Sequence, residues 1–309
     1  MKRAICTTTI NEPSKALVAF SKFSGWDLIV ALDANSKPFH LQDSIILTID
    51  DQEKLSRDLS DVLGFASIER RNFAHLWALK NGYETIAFVD DDNIPKENWQ
   101  NIAESQVFDA VEYETNTSIF DPLSVVIESR IARVPHRGVP INFYGRDELV
   151  YAKKPISRFS PDVIAMLWDG DWDVNAVDRI HNACYGNLSV ESSFFSKKTS
   201  PFNSQNTVMS SRAAKEYFIL PFVGRFDDIV ASYALRARGF DCVYTAPTVR
   251  QERNVHSLYK DINEELWGYH YIEDIVSQLD SGQDLLDIKT IPDETKKALD
   301  VWRKIICKI

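Results

Sequence analysis

Three consecutive carboxylates, Asp90-Asp91-Asp92, follow directly on the short apolar run Thr85–Val89 and lead into Asn93-Ile94-Pro95. Like charges packed this closely repel unless something neutralises them, and hard carboxylate oxygens suit Mg2+ or Mn2+. Ligand sites of parallel sheets lie beyond the carboxyl ends of strands, which is where this cluster falls. The alternative is a solvated acidic turn. An EF-hand is excluded, because a loop begun at Asp90 has Pro95 where glycine is required and Asn101 where glutamate is required.

Four further groups carry chemistry. Arg70-Arg71-Asn72 precedes that strand at a predicted helix start, where arginine forks and the helix dipole suit diphosphate oxygens; two surface arginines are the simpler reading. Gly224-Arg225-Phe226-Asp227-Asp228 opens another helix, so Asp228 and Asp227 are either a general base at a pocket mouth or carboxylates favoured by the dipole. Asp169, Asp171 and Asp173, around Gly170 and Trp172, make either a sugar platform or an exposed acidic turn. His256 supplies a nitrogen that would complete an Asp-rich Mn2+ site, with Gln251 as a competing polar group in the same loop. GxGxxG, GxxxxGK[ST] and GxSxG are absent, which removes the standard dinucleotide, P-loop and α/β-hydrolase readings.

The elements that must position these residues alternate. Strands are expected at 4–10, Asp27–Leu32, 44–49 and Thr85–Val89. A helix start is marked by Asn11 and Pro13. A helix is expected over 68–80, with Phe73, Leu76, Trp77 and Lys80 at helical spacing and Asn81-Gly82 as its stop. This rhythm predicts an α/β fold, a mostly parallel sheet with helices on both faces. The middle of the chain, about 109–200, reads as continued sheet with long functional loops. It includes a strand at 162–168 that runs into the acidic turn 169–173. A helix from Phe226 to Gly239, a strand at 241–245 and helical sequence beyond Asp261 follow, ending in an amphipathic segment around 298–306.

Composition sets the bounds. The 309 residues, 44% apolar and 26% charged, are those of an ordinary globular chain. A net charge of −10 argues against nucleic acid as a partner. Cys6, Cys184, Cys242 and Cys307 are scattered, without CxxC, which fits a reducing compartment and disfavours structural zinc. No signal-peptide core follows Lys2-Arg3, and no apolar run nears the roughly 18 residues needed to span a membrane. The expectation is a cytoplasmic protein. Leu299, Trp302, Ile305 and Ile306 share one side of the last segment, flanked by Lys296, Lys297, Arg303, Lys304 and Lys308. That pattern suits packing on the chain's own core and is compatible with peripheral contact at a membrane surface.

Taken together, these pieces resemble a GT-A glycosyltransferase. Three stretches are similar to the group formed by the reversibly glycosylated polypeptides (UDP-arabinopyranose mutases) and the STELLO-type proteins with their bacterial relatives. They are Arg71-Asn72-Phe73 through Asp90-Asp91-Asp92-Asn93, then Trp168-Asp169-Gly170-Asp171-Trp172-Asp173-Val174, then Asn203-Ser204-Gln205-Asn206-Thr207 with Gly224-Arg225-Phe226-Asp227-Asp228-Ile229. Arg137-Gly138-Val139-Pro140 also resembles a segment of the mutases. The likeness spreads over most of residues 4–270.

The resemblance implies a GT-A catalytic domain at 1–255 and a helical extension at 256–309 packed on it. It implies Asp90 and Asp92 as ligands of Mn2+ or Mg2+, with Asp91 or Asp90 near the donor ribose. Thr7, Thr8 and Asp33 would line the nucleoside pocket, Arg71 would meet the base or diphosphate, and Asn72 and Asn206 would contact the donor. Arg137, Asp169, Asp171 and Asp173 would serve the donor sugar or the acceptor. Asp228, with Asp227 beside it, would be the base of an inverting enzyme or a sugar contact of a retaining one. The mutases carry a histidine near the position of Gln251, which leaves the third metal ligand between Gln251 and His256. The implied activity is transfer from a nucleotide sugar, with UDP the expected nucleotide, to a glycan or lipid-linked acceptor in surface polysaccharide assembly. A nucleotide-sugar mutase and a non-catalytic scaffold are the alternatives.

Overall fold

The structure, a computed structural model, describes residues 1–126, 134–143, 151–252 and 257–309. Its first part runs β1 (Arg3–Thr9), α1 (Lys15–Phe20), β2 (Asp27–Leu32), β3 (Ser44–Leu47), α2 (Ile49–Leu55), α3 (Arg57–Leu63), α4 (Arg71–Lys80) and β4 (Thr85–Val89). The middle adds β5 (Asn93–Pro95), α5 (Trp99–Ala103), β6 (Phe108–Thr115), β7 (Tyr151–Lys153), β8 (Ser157–Phe159), β9 (Val163–Asp171), β10 (Tyr185–Gly186) and β11 (Ser193–Phe195). The last part is β12 (Asn206–Ser210), α6 (Ser211–Glu216), α7 (Asp227–Ala237), β13 (Cys242–Gln251), α8 (Leu258–Asp280) and α9 (Asp293–Ile306).

The main strands form one sheet in the order β3-β2-β1-β4-β12-β9-β13-β11-β6-β7. β3, β2, β1 and β4 are mutually parallel, and β9 runs parallel to β13. The α/β class expected from the sequence is therefore present. Successive residues Leu28–Ala31 and Ile86–Val89 are fully buried. Because strand side chains alternate between faces, both faces of the sheet are covered, and near-continuous apolar runs are what such strands require.

β12 is inserted antiparallel between β4 and β9, with Asn206 opposite Val89 and Ser210 opposite Thr85. Its reversal matters for the site. The chain entering β12, residues 203–205, lies over the same sheet edge at which β4 ends in Asp90.

Several boundaries differ from expectation for local physical reasons. β9 does not stop at Trp168 before an acidic turn; it continues through Asp171, paired to β13 on one side and β10 on the other. Gly170 permits this with φ +89°, since a Cβ there would lie 2.3 Å from the Gln251 carbonyl oxygen. β13 likewise runs on to Gln251 after a register shift between Thr245 and Val249, beside Pro247, which lacks the amide a ladder needs. Residues 68–70 form a separate 3-10 turn before α4, and α9 begins at Asp293 behind Pro292.

The final helix docks on the chain itself. Ala298, Leu299 and Trp302 are buried, with Trp302 stacked on Phe218 and tilted against His75 at centroid distances of 5.1 and 4.9 Å. Thr295 donates to the Pro221 carbonyl at 2.6 Å. Of the apolar side expected from sequence, Leu299 and Trp302 are buried and Ile305 and Ile306 half-buried. No helix among the described residues is long and apolar enough to cross a membrane.

Candidate active site

The acidic run after β4 is held from three sides. The amide of Asp90 donates to the Gln205 carbonyl at 3.1 Å, and Asn93 closes the turn onto the Asp90 carbonyl. The Asn93 side-chain amide donates to the same Gln205 carbonyl at 2.8 Å. β5 then pairs antiparallel with the end of β13, and the Glu252 amide donates to the Asp92 carbonyl. Asp91 is tied to β1 and α1: its carboxylate accepts from Thr9 and Asn11, and its carbonyl from Ser14.

Around this turn lies a cavity of about 600 Å3. Its lining includes Thr8, Ser67, Arg71 and Asp90 to Asp92, together with Phe222, Arg225, Asp227 and Asp228, and Lys260 and Glu264 from α8. Counting Glu69, Asp173 and Arg137 as well, eight carboxylates face four cationic side chains, an excess of four formal negative charges.

A chain of contacts joins the two acidic centres. Arg71, at the start of α4 and nearly fully buried, pairs with Asp90 and donates to Ser204 Oγ and its carbonyl at 3.0 Å. Ser204 in turn donates to Asp228 from its amide at 2.8 Å and its hydroxyl at 3.1 Å. Asp228 is ion-paired at 3.1 Å with Arg137, whose Nε donates to both oxygens of Asp173 at 2.8 and 2.9 Å. Residues from six separate stretches thus make one polar network in the sheet's carboxyl-end crevice.

The network sorts the carboxyl groups. Burial pushes Asp90 up, opposed by Arg71 and reinforced by the charges of Asp91 and Asp228. Asp227 is driven well above the usual carboxylate range by burial, then by Asp228 and Glu69. Glu69 is raised by burial, against a hydrogen bond from Ser67, with Asp33 and Glu264 adding to the rise. Burial alone would raise Asp173 too, but Arg137 holds it well below the usual range. Asp228 is spent on Arg137 and Ser204, whereas Asp227 Oδ1 accepts from the Asp228 amide at 2.8 Å and the residue lines the cavity. Of the two carboxylates singled out from sequence, Asp228 is thus hydrogen-bonded and ion-paired within the network, and Asp227 is the one whose carboxyl is raised by burial and by its acidic neighbours.

Asp90, Asp92 and Gln251, each with side-chain oxygens, line the cavity. Among the described residues no group of three or more His, Cys, Asp or Glu gathers to hold a metal. The set is a partial oxygen site, of the kind Mg2+ occupies when one or two carboxylates share it with substrate phosphates. The raised Asp90 carboxyl and the excess negative charge fit a cation there. His256 lies outside the described residues.

Other expected site residues are placed elsewhere. Asn72 is fully buried and exchanges both ends of its amide with the backbone of Ile219. Asn206 is fully buried between the Trp99 indole, the Met166 and Leu167 carbonyls and Thr248. Both amides fasten the sheet and do not reach the cavity. Asp33 accepts the amides of Ala34, Ala66 and Ser67, so it shapes the loop that lines the cavity without lining it. Thr7 is buried beneath Thr8, and Arg70 is buried on Gln52 and Ser60. The acidic trio is divided: Asp173 enters the network, while Asp169 pairs with Lys96 at 2.8 Å and Asp171 with Arg179 at 2.6 Å, away from this cavity.

Glu69, Ser204, Gln205, Phe222, Lys260 and Glu264 line the cavity without having been assigned to it from sequence. Only Ser204 and Gln205 carried a signal, as part of the Asn203–Thr207 resemblance.

No protein-family model matches the chain, and no characterised protein sequence matches it. Among solved structures, glucosyl-3-phosphoglycerate synthase from Mycobacterium tuberculosis, crystallised with phosphoglyceric acid, aligns over 92% of this chain and 81% of its own, at 8% identity and a TM-score of 0.41. At that level of overlap, function has to be argued from the residues of the cavity.

Proposed function

We propose that the chain is a GT-A glycosyltransferase that takes a sugar from a nucleotide-sugar donor, with UDP the expected nucleotide, and passes it to an acceptor hydroxyl. The observation that carries this reading is the continuous network Asp90–Arg71–Ser204–Asp228–Arg137–Asp173, which brings the acidic end of β4 and the acidic start of α7 into one cavity.

In this reading Asp90 and Asp92, with Gln251, hold Mn2+ or Mg2+, which when bound acts as a Lewis acid toward the departing diphosphate. Arg71 orients the Asp90 carboxylate and adds positive charge beside the phosphates. Asp227 takes the proton of the acceptor hydroxyl as that oxygen bonds to the anomeric carbon and the bond to the diphosphate breaks. A carboxyl raised above its ordinary range is the better proton acceptor for that exchange. Asp228 and Arg137 fix the backbone that presents Asp227. The domain division expected from sequence becomes a catalytic unit at 1–255 with an extension at 256–309 that adds Lys260 and Glu264 to its site. A glycan or lipid-linked acceptor, a role in surface polysaccharide assembly and a cytoplasmic setting belong to the same proposal on the strength of the sequence resemblance.

The test is Asp227→Asn, assayed for UDP release from UDP-sugars and for UDP binding. Loss of turnover by about two or more orders of magnitude with UDP affinity retained supports the base role; lost UDP affinity moves Asp227 into donor binding. Conversion of the sugar ring without UDP release would make the protein a mutase instead.

A further inference from the structure

Three non-glycine residues have positive φ among the described residues, Asp43, Ala66 and Phe222, and two of them, Ala66 and Phe222, line the cavity. Phe222 is the unusual one. A bulky side chain at φ +65° is held in the left-handed region that glycine or asparagine occupies more readily. Packing does not require a phenylalanine there, because the ring is 54% exposed while its neighbours Leu220 and Val223 are buried. The backbone is clamped on both sides. Thr295 of α9 holds the Pro221 carbonyl, and Gly224, at φ +58°, lies so close to α8 that a Cβ would come within 2.0 Å of the Glu264 carbonyl oxygen. Strain of this kind, kept by the surroundings and ending in an exposed side chain, points to function.

A second observation concerns the company Phe222 keeps. The cavity lining is charged or polar almost throughout, and its large apolar members, Phe222 and Ile68, are both about half exposed. An aromatic ring set among carboxylates and cations matches a ligand with hydroxyls around its edge and a C–H face. The face of a phenyl ring is electron-rich, and the axial C–H groups of a pyranose carry partial positive charge, so the two stack.

The position selects the acceptor over the donor nucleotide. Phe222 lies five residues before Asp227 on the same clamped segment, two residues from Gly224, which abuts the Glu264 carbonyl, whereas Thr8 and the Asp90 turn stand at the ends of β1 and β4. We infer that Phe222 is the platform on which a pyranose ring of the acceptor stacks, so that the acceptor class is a glycoside with its hydroxyl directed to Asp227. This rests on the transferase reading.

The experiment uses the full chain saturated with UDP and Mg2+, and a panel of methyl α- and β-hexopyranosides observed by saturation-transfer NMR. The wild type should transfer saturation to the C–H protons of one ring face of at least one pyranoside. Phe222→Ala should weaken that signal about fivefold or more, Phe222→Trp should retain it, and UDP affinity should stay within about twofold in all three proteins. No pyranoside signal from the wild type, or a signal unchanged in Phe222→Ala, overturns the inference. A loss of UDP affinity in Phe222→Ala, with the fold intact by circular dichroism and the Trp variant normal, assigns the ring to the nucleotide and overturns it as well. Failure of the wild type to bind UDP at all overturns the transferase reading itself, a different result from a failed platform.

Discussion

Arg137→Met is the most informative perturbation of the network, because one guanidinium neutralises two buried carboxylates. Arg137, Asp173 and Asp228 are each less than 10% exposed. The side chain makes contacts of 2.8 and 2.9 Å to Asp173 and 3.1 Å to Asp228, and also donates to the Arg225 carbonyl. Removing one partner of such a group strands the others, at a cost of about 3–5 kcal/mol. For a chain of this length that corresponds to a fall of about 6–10 °C in Tm, at about 2 °C per kcal/mol. An exposed pair such as Lys304–Asp300 should cost less than about 1 kcal/mol and serves as the control.

The pH dependence sharpens this prediction. In the wild type, Asp173 is depressed, so its contribution is complete above about pH 4 and fades only as pH falls further. Without the guanidinium, burial raises the Asp173 carboxyl, and the folded state then binds more protons than the unfolded state. Stability of the variant must therefore fall as pH rises, and the penalty should be smaller near pH 5 than near pH 7. Urea unfolding at both pH values measures it. A penalty under about 1 kcal/mol, or one that grows toward acid, would refute the ion-pair account.

Further predictions concern the two acidic centres and their supports. Asp92→Asn should lower UDP affinity chiefly when Mn2+ or Mg2+ is present, by about tenfold or more, as read by calorimetry in metal and in EDTA. Gly268→Ala would drive a Cβ to 2.1 Å from the Phe226 ring, immediately before Asp227. It should cost about 1–3 kcal/mol by urea unfolding and cut UDP-sugar hydrolysis more than UDP binding. Asp284 is raised by burial alone, but hydrogen bonds from Arg303 and the Leu286 amide, with Arg238, hold it down at about 2. Its stabilising contribution is present above about pH 4 and lost as pH falls toward 2, so Asp284→Asn should flatten that part of the acid-unfolding curve.

The sequence disclosed the parts whose signals are local. An apolar run broken by three aspartates marks the end of β4 whatever surrounds it, and Asp227-Asp228 before a helical apolar period marks the start of α7. Roles that depend on distant partners were not legible. Asn72 and Asn206 look like ligand-binding amides in sequence, yet each satisfies buried backbone or indole groups, which have to be paired wherever they fall. Asp169 and Asp171 read as one cluster with Asp173 until the strand extends beneath them and Lys96 and Arg179 claim them. That Asp228 is held by Arg137, 91 residues away in the chain, has no local signal. The left-handed backbone of Phe222 has no sequence signature, because glycine is the residue that would announce it.

The central claim is that the acidic end of β4 binds a nucleotide diphosphate through a divalent cation. Calorimetric titration of the wild-type chain with UDP, in Mn2+ and again in EDTA, tests it most directly. The account predicts saturable one-to-one binding in Mn2+ that weakens about tenfold or more in EDTA. UDP affinity unchanged by EDTA, or no UDP binding under either condition, would contradict it.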